Sequence, residues 1–130
     1  MSVLFIYFFF LKDHNFFFLK DHHNFFFLKD PPGPPKNLHH VDVDKTEVSL
    51  VWNKPHRDGG SPITGYLVEY QEEGAQDWIK FKTVTNSECV VTGLQQGKTY
   101  KFRVKAENIV GLSLPDTTIP IECQEKLGNF

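Results

Sequence analysis

The chain has 130 residues, a formal net charge of -2 and two cysteines. This length predicts one ordinary domain with some additional chain, and the weak negative charge gives no reason to expect a nucleic-acid partner. Two cysteines do not form a disulfide framework in a chain of this size, which favours a reducing, intracellular setting.

The first thirty residues are dominated by a repeated phenylalanine-rich hexapeptide. The sequence Phe-Phe-Phe-Leu-Lys-Asp occurs at 8–13, 16–21 and 25–30. These spacings match no solenoid or coiled coil, and the charged residues interrupt any run long enough to cross a membrane. We interpret residues 1–30 as a low-complexity segment, disordered or an artefact of gene prediction. A signal anchor or degenerate signal peptide is the alternative, although no basic region precedes the apolar run and no small-residue cleavage site follows it.

The composition changes abruptly at residues 30–35, which read Asp-Pro-Pro-Gly-Pro-Pro. Proline lacks the backbone donor and fixes φ, so this segment can form neither a helix nor a central strand. Such a segment tends to extend as polyproline II and to act as a semi-rigid spacer. We therefore place a domain boundary here, with a folded domain over residues 31–125 and a tail over residues 126–130.

Seven short apolar runs separated by turn residues follow the proline segment, which is the pattern of an all-β domain. The predicted strands span residues 36–43, 47–52, 63–71, 78–84, 88–92, 100–108 and 117–123. The sixth is the clearest, because apolar residues at even positions alternate with charged residues at odd ones. Seven strands with turns every eight to twelve residues predict a two-sheet sandwich.

The same alternation assigns the side chains that should face the core. The inward residues expected on the first, second, third and fifth strands are Leu38, Val41, Val43, Val48, Leu50, Trp52, Tyr66, Val68, Tyr70, Cys89 and Val91. The first strand needs a bulge or a bend to turn its three inward residues to one side. On the fourth strand, Ile79 and Phe81 should share one face and Lys80 and Lys82 the other.

Tyr100 opens the sixth strand directly after a turn. The spacing of Leu94, Gly97 and Tyr100 suggests a tyrosine corner, in which the hydroxyl group bonds back to the upstream backbone and fixes a connection at the edge of the sandwich. The alternative is an ordinary core tyrosine of an antiparallel sheet.

No combination of residues indicates catalysis, a cofactor or a metal site. His39, His40 and His56 have no cysteine or carboxylate at the spacing of zinc ligands, so we interpret them as solvated surface residues. Residues 59–61 read Gly-Gly-Ser but lack the lysine and the following helix of a phosphate-binding loop. We therefore expect no enzyme, no cofactor and no membrane partner.

Several dispersed motifs occur in order along the chain after the proline segment. They are Leu-Val-Trp-Asn-Lys-Pro at 50–55, Asp-Gly-Gly-Ser-Pro-Ile-Thr-Gly-Tyr at 58–66, Gly-Leu at 93–94, Gly97 with Tyr100, and Phe-Arg-Val-Lys-Ala-Glu-Asn at 102–108 with Gly111. Together they resemble a fibronectin type III domain over about residues 31–124. The proline segment and the loop and strand motifs look most like the modules of giant muscle proteins of the titin, twitchin and projectin type.

The resemblance implies a seven-stranded immunoglobulin-like β-sandwich, with the first, second and fifth strands in one sheet and the others in the second. It implies a non-catalytic spacer and docking module of a tandem array, cytoplasmic and sarcomeric, beside immunoglobulin and fibronectin type III neighbours. Cys89 and Cys123 would then lie in opposite sheets, so we expect no disulfide between them. The alternative is an extracellular adhesion or receptor module, which the absence of an Asn-x-Ser/Thr acceptor and the unpaired cysteines disfavour.

If the chain binds a protein partner, we expect it to use the outward face of the third, fourth and sixth strands. The candidate site residues are Leu67, Glu69, Lys80, Lys82, Lys101, Arg103 and Lys105. Alternation would place the cations in a basic stripe that favours an acidic partner, and the resemblance suggests thick-filament proteins such as myosin. The alternative is a solvated face on which Glu69 pairs across strands with Arg103 or Lys105.

Overall fold

The computed structural model describes residues 5–11, 14–20 and 25–125. The phenylalanine-rich repeats form an antiparallel sheet of three strands, β1 (Phe5–Leu11), β2 (His14–Lys20) and β3 (Phe25–Lys29), in that order. Copies of the repeat thus pair with each other, with Phe8 opposite Phe17. The interpretation of residues 1–30 as a low-complexity segment stays a prediction, and the predicted tail at 126–130 lies outside the described residues.

Two further antiparallel sheets form a β-sandwich. Their strands are β4 (Lys36–Val43), β5 (Val48–Asn53), β6 (Gly65–Glu72), β7 (Ile79–Val84), β8 (Glu88–Val91), β9 (Thr99–Glu107), β10 (Asp116–Thr117) and β11 (Ile121–Glu122). One sheet has the order β4-β5-β8, and the other the order β10-β9-β6-β7, with β11 also paired to β9. This confirms the all-β sandwich and the distribution of strands between its sheets that the resemblance implied.

The core lies between the two sheets and follows the period-two pattern of the sequence. On β9 every second residue from Tyr100 to Ala106 is buried, whereas the residues between them are partly exposed. Trp52 on β5 is only 3% exposed and meets Tyr66 on β6 edge-on, with 5.4 Å between the ring centroids. Because β5 and β6 belong to different sheets, this aromatic pair joins the two layers through apolar burial.

The bulge predicted in the first strand is present, but Val41 does not point inward as expected. Pairing with β5 advances by two residues on β4, from His40 to Asp42, while β5 advances by one. Val41 is the extra residue, displaced from the alternation of the strand, and its side chain is 58% exposed. Leu38 and Val43 keep their predicted contact with the core.

The predicted last strand, residues 117–123, is divided into β10 and β11. The register along β9 slips by one residue between the two pieces. Thr118 bridges the step, because its N–H donates to the Phe102 carbonyl at 2.8 Å and its hydroxyl accepts from the Phe102 N–H at 3.1 Å. Pro120 follows and has no N–H to donate, which interrupts the regular ladder at this point.

Candidate protein-binding face

The outer side of β6, β7 and β9 brings together six of the seven residues predicted for the site. This β6-β7-β9 face contains Leu67, Glu69, Lys80, Lys101, Arg103 and Lys105. Leu67 pairs with Lys105 and Glu69 with Arg103, while Lys80 lies on the other side of Glu69. Residues that pair directly across strands project to the same side of a sheet, so the register gathers these groups on one surface.

Lys82 does not join this face, contrary to the expectation that it would share a side with Lys80. Lys80 pairs with Glu69 but Lys82 pairs with Val68, so β7 carries one extra residue, Phe81. The bulge moves Lys82 to the side of the sheet occupied by the buried Val68. There its ammonium group lies 5.4 Å from the centroid of the Phe81 ring.

Glu69 is the centre of the face and is nearly buried, with 9% of its surface exposed. Its Oε1 atom accepts from Arg103 Nε at 2.8 Å and lies 3.4 Å from Lys105 Nζ. Burial opposes the ionisation of Glu69, but the hydrogen bond from Arg103 and the charges of Lys105 and Arg103 outweigh it. The pKa of Glu69 is therefore held below its ordinary value.

Trp78 covers the guanidinium group of Arg103 and was missed as a site residue. The central carbon of that group lies 4.2 Å from the centroid of the Trp78 ring, a cation–π contact. The sequence pattern could have placed Trp78 on this face, because Trp78 stands two residues before Lys80 and alternation puts both on the same side of the strand. Arg103 is thus fixed by a carboxylate and by an aromatic ring.

The positive charge in the middle of the face is therefore partly neutralised by Glu69. Arg103 and Lys105 both contact Glu69, which is the arrangement of the solvated-face alternative. In the part of the chain that the structure describes, no carboxylate lies within ion-pair distance of Lys80 or Lys101. These two lysines keep their charge available to a partner.

A network of hydrogen bonds centred on Asn108 holds the proline segment against one end of the sandwich. Its side-chain amide nitrogen donates to the carbonyls of Asp30 and Asp58, at 2.9 and 2.8 Å. Its side-chain oxygen accepts from the N–H groups of Val110 and Gly111, at 2.9 and 3.2 Å. Both donors and both acceptor positions of this buried amide are satisfied, so one side chain joins three segments.

Backbone bonds complete the docking of the proline segment, which the sequence indicated only as a spacer. The Asp30 N–H donates to the Gly59 carbonyl and the Gly33 N–H to the Arg57 carbonyl, each at 3.0 Å. Gly59 has φ of 77°, and a Cβ atom there would lie 2.2 Å from the Asp30 carbonyl oxygen. The close approach therefore requires glycine. No sequence pattern linked these segments.

The histidines and cysteines of the described residues form neither a metal site nor a disulfide. The three histidines singled out in the sequence are exposed: His39, His40 and His56. Residues 29–125 contain no group of three potential metal ligands. Cys89 and Cys123 are free thiols, and both are buried, although Cys123 was expected at an edge or in the tail. Burial raises the pKa of both thiols, opposed at Cys89 by the charge of Lys82. Within the described ranges, no helix is long and apolar enough to span a membrane.

Residues 33–123 match the family described as the fibronectin type III domain. The chain belongs to this family. It is 39% identical to myomesin-2 of Homo sapiens over 100 residues, which cover 75% of this chain and 7% of myomesin-2. It is 39% identical to titin of Drosophila melanogaster over 102 residues, 77% of this chain and 1% of titin. Titin module A71 from human cardiac muscle superposes with a TM-score of 0.67 at 33% identity, covering 72% of this chain and 94% of that module.

These similarities confirm the resemblance to modules of giant muscle proteins. The fibronectin type III domain is a non-catalytic module in these structural proteins. The chain spans less than a tenth of the length of either relative. The family assignment therefore applies to this domain only, and the role of any longer protein that contains it is a proposal.

Proposed function

We propose that the chain serves as a spacer and docking module in the tandem array of a sarcomeric muscle protein. The observation that supports this most strongly is its identity of 39–43% to segments of myomesin-2, titin and M-protein from striated muscle. Immunoglobulin and fibronectin type III domains would be its neighbours in the chain. The docked proline segment fits this role, since its hydrogen bonds fix the direction in which the preceding chain approaches.

The β6-β7-β9 face is the proposed docking surface, and a thick-filament protein such as myosin is the proposed partner. Lys80 and Lys101, which make no ion pair with any described residue, supply positive charge, and Leu67 adds a partly exposed apolar contact. Such an arrangement speeds encounter with an acidic surface and makes binding sensitive to salt. Among the relatives, fast-type myosin-binding protein C of Homo sapiens is 40% identical over 88 residues.

Charge reversal on the face tests this proposal. The full chain with Lys80→Glu and Lys101→Glu is compared with the unchanged chain by co-sedimentation with myosin filaments over a salt series. The control is Lys54→Glu with Lys82→Glu, which changes the net charge equally but leaves the face intact. Lys105 is kept, because a carboxylate in its place would repel Glu69. We expect weaker binding and a shallower salt dependence for the face variant only. Equal behaviour of all three chains would exclude this face.

The proposed cytoplasmic location has its own test. Burial protects Cys89 and Cys123 in the folded domain, so both thiols should react only after unfolding. Titration of material isolated under non-reducing conditions should give two thiols per unfolded chain. A mixed or intermolecular disulfide at either cysteine would instead favour the extracellular alternative.

A further inference from the structure

A row of exposed apolar side chains borders the β6-β7-β9 face. Its members are Leu112, Leu114 and Ile119, which are 39%, 57% and 72% exposed. Leu112 pairs with Glu107, an outward residue of β9. Ser113 is buried, and its hydroxyl accepts from the Ala106 N–H, so the leucines on either side of it point outward. We call Leu112, Leu114 and Ile119 the edge row.

Ile119 continues this row beyond β10. Thr117 pairs with Arg103 and projects to the outer side, while the buried Thr118 turns toward Phe102. Ile119 is exposed and lies between Thr117, which is opposite Arg103, and Ile121, which is opposite Tyr100, so it is level with residues 101–102 of β9. The edge row thus runs parallel to the outward residues of β9 from Glu107 to Lys101. Six residues of strand cover about 20 Å.

The backbone of this edge is poorly suited to accept an added strand. Pro115 and Pro120 have no N–H, and the N–H of Thr117 already donates to Asp116 Oδ1 at 3.1 Å. The other carboxylate oxygen of Asp116 accepts from the Leu38 N–H, which ties the edge to the opposite sheet. A ligand is therefore expected on the outer face and not as an extra strand, because the backbone donor is absent at Pro115 and Pro120 and already bonded at Thr117.

The charge beside the edge row selects an acidic ligand. Between Glu107 and the start of β9, the outward residues are Lys105, Arg103 and Lys101, and Glu69 is the one carboxylate among the described residues that ion-pairs with any of them. Lys101 lies on β9 between the residues opposite Thr117 and Ile121, and its ammonium group makes no ion pair within the described ranges. The surface therefore offers an apolar line flanked on one side by positive charge.

We propose that the edge row and the lysines beside it bind the apolar stripe of an acidic amphipathic α-helix. About 13 helical residues match the 20 Å length of the row, because a helix rises about 1.5 Å per residue. Apolar residues at helical spacing would contact the edge row, and carboxylates on the flank of the helix would reach Lys101 and Lys105. Only the identification of this helix with a thick-filament protein rests on the proposed function.

A synthetic peptide tests the inference directly. The probe is a labelled 14-residue helical peptide with leucine along one stripe and glutamate elsewhere, titrated against the full chain by fluorescence anisotropy. Three further peptides have the same composition in scrambled order, lysine in place of glutamate, or a central proline that prevents helix formation. We expect the first peptide to bind most tightly. Equal binding of the scrambled or proline-containing peptide would overturn the helical assignment, and equal binding of the lysine peptide would overturn the charge assignment.

Substitutions in the edge row provide the second measurement. Leu114→Asp with Ile119→Asp should weaken binding of the leucine–glutamate peptide at least tenfold. The control is Val41→Asp with Val90→Asp, which places the same charges at exposed valines of the other sheet and should change binding less than twofold. Circular dichroism of each variant confirms that it is folded. Equal loss in both pairs, or no loss in the edge-row pair, would contradict the proposal.

Myosin filaments separate this inference from the proposed function. If filaments bind the unchanged chain and the edge-row variant equally, the identification of the helix with a thick-filament protein fails, while the proposed function stands and the peptide titration decides the inference. If the peptide requires the edge row but filaments do not bind, the proposed partner fails and the inference stands. A dimer of the full chain that the edge-row substitutions abolish would identify a second copy as the occupant and would overturn the proposal.

Discussion

The hydroxyl group of Tyr100 accepts a hydrogen bond of 3.0 Å from the backbone N–H of Gln95. This bond closes the turn before β9 and confirms the tyrosine corner predicted from the spacing of Leu94, Gly97 and Tyr100. Gly97 has φ of 86°, and its N–H donates to the Cys123 carbonyl at 2.8 Å. The corner therefore fixes the start of β9 and also holds Cys123, which directly follows β11.

Tyr100→Phe should destabilise the domain by about 1 kcal/mol, because it removes one partly buried hydrogen bond and keeps the ring. The matched control is Tyr70→Phe, since Tyr70 packs edge-on against Tyr100 but its hydroxyl has no hydrogen-bond partner among the described residues. Urea unfolding of both variants measures the difference. Equal losses at the two tyrosines would show that the corner bond adds nothing to stability.

Trp52→Ala should cost about 3–5 kcal/mol, as expected for a large aromatic side chain removed from a packed core. The indole N–H of Trp52 has no hydrogen-bond partner in the described part of the chain, so the loss comes from packing. Trp78→Ala is the control, because Trp78 is partly exposed on the outer face. Denaturant titration should give a clearly smaller loss for Trp78. A loss below about 1 kcal/mol at Trp52 would refute its position between the sheets.

The stability contributed by Glu69 should depend on pH. Its pKa is lowered in the folded state, so the contribution is present above the unfolded value of about 4.3 and disappears as pH falls through the lower folded value. Glu69→Gln should therefore cost about 1–3 kcal/mol near pH 7. The difference in stability between this variant and the unchanged chain should shrink as the pH falls below the unfolded value of about 4.3.

Glu72→Gln is the control for this pH dependence. Glu72 pairs with Lys98 at 2.9 Å, but both side chains are well exposed, and exposed pairs contribute little. Unfolding free energies of the three chains across the pH range provide the measurement. A Glu69→Gln difference that stays constant with pH would mean that the ionised carboxylate is not the stabilising group.

The sequence predicted those features that depend on local alternation. The pattern of β9 placed Phe102 in the core and Arg103 on the outer face, because each residue of a regular strand fixes the side of the next. Alternation failed at Val41 and Lys82, where bulges add a residue to one strand. A bulge is set by how two strands fit each other, and neither strand alone reveals it.

The docking of the proline segment could not be predicted for a different reason. Asn108 meets Asp30 across 78 residues and Asp58 across 50. These contacts depend on which loops the completed sandwich brings to one end. The Asp-Gly-Gly sequence at 58–60 is typical of a turn, but Asp30, whose carbonyl oxygen packs against Gly59, is distant in sequence.

Removal of the phenylalanine-rich segment should not destabilise the sandwich, provided that Asp30 is kept. A fragment of residues 30–125 should unfold at the same denaturant concentration as the full chain, because it keeps the core cluster and the bonds that Asp30 makes to Gly59 and Asn108. A fragment of residues 31–125 should lose about 1–2 kcal/mol, since the bonds of Asp30 to Gly59 and Asn108 are missing. A large loss for the longer fragment would show that residues 1–29 belong to the folded unit.

Gly59→Ala should release the proline segment, whereas Gly74→Ala should not. Both glycines have positive φ, 77° and 88°, so alanine at either position costs about 1–2 kcal/mol from backbone strain. Only at Gly59 would the new Cβ atom meet backbone, 2.2 Å from the Asp30 oxygen and 2.7 Å from the Pro31 oxygen, while the space at Gly74 is open.

The clash at Gly59 is best relieved by undocking the segment, because the backbone carbonyls of residues 30 and 31 cannot rotate away while their neighbours stay bound. Amide hydrogen exchange measures this directly at the N–H groups of Asp30 and Gly33, which are bonded in the docked state. Both should exchange faster in Gly59→Ala and at the original rate in Gly74→Ala. Unchanged protection in Gly59→Ala would mean that the loop moves instead, so that the segment is held more firmly than the turn beneath it.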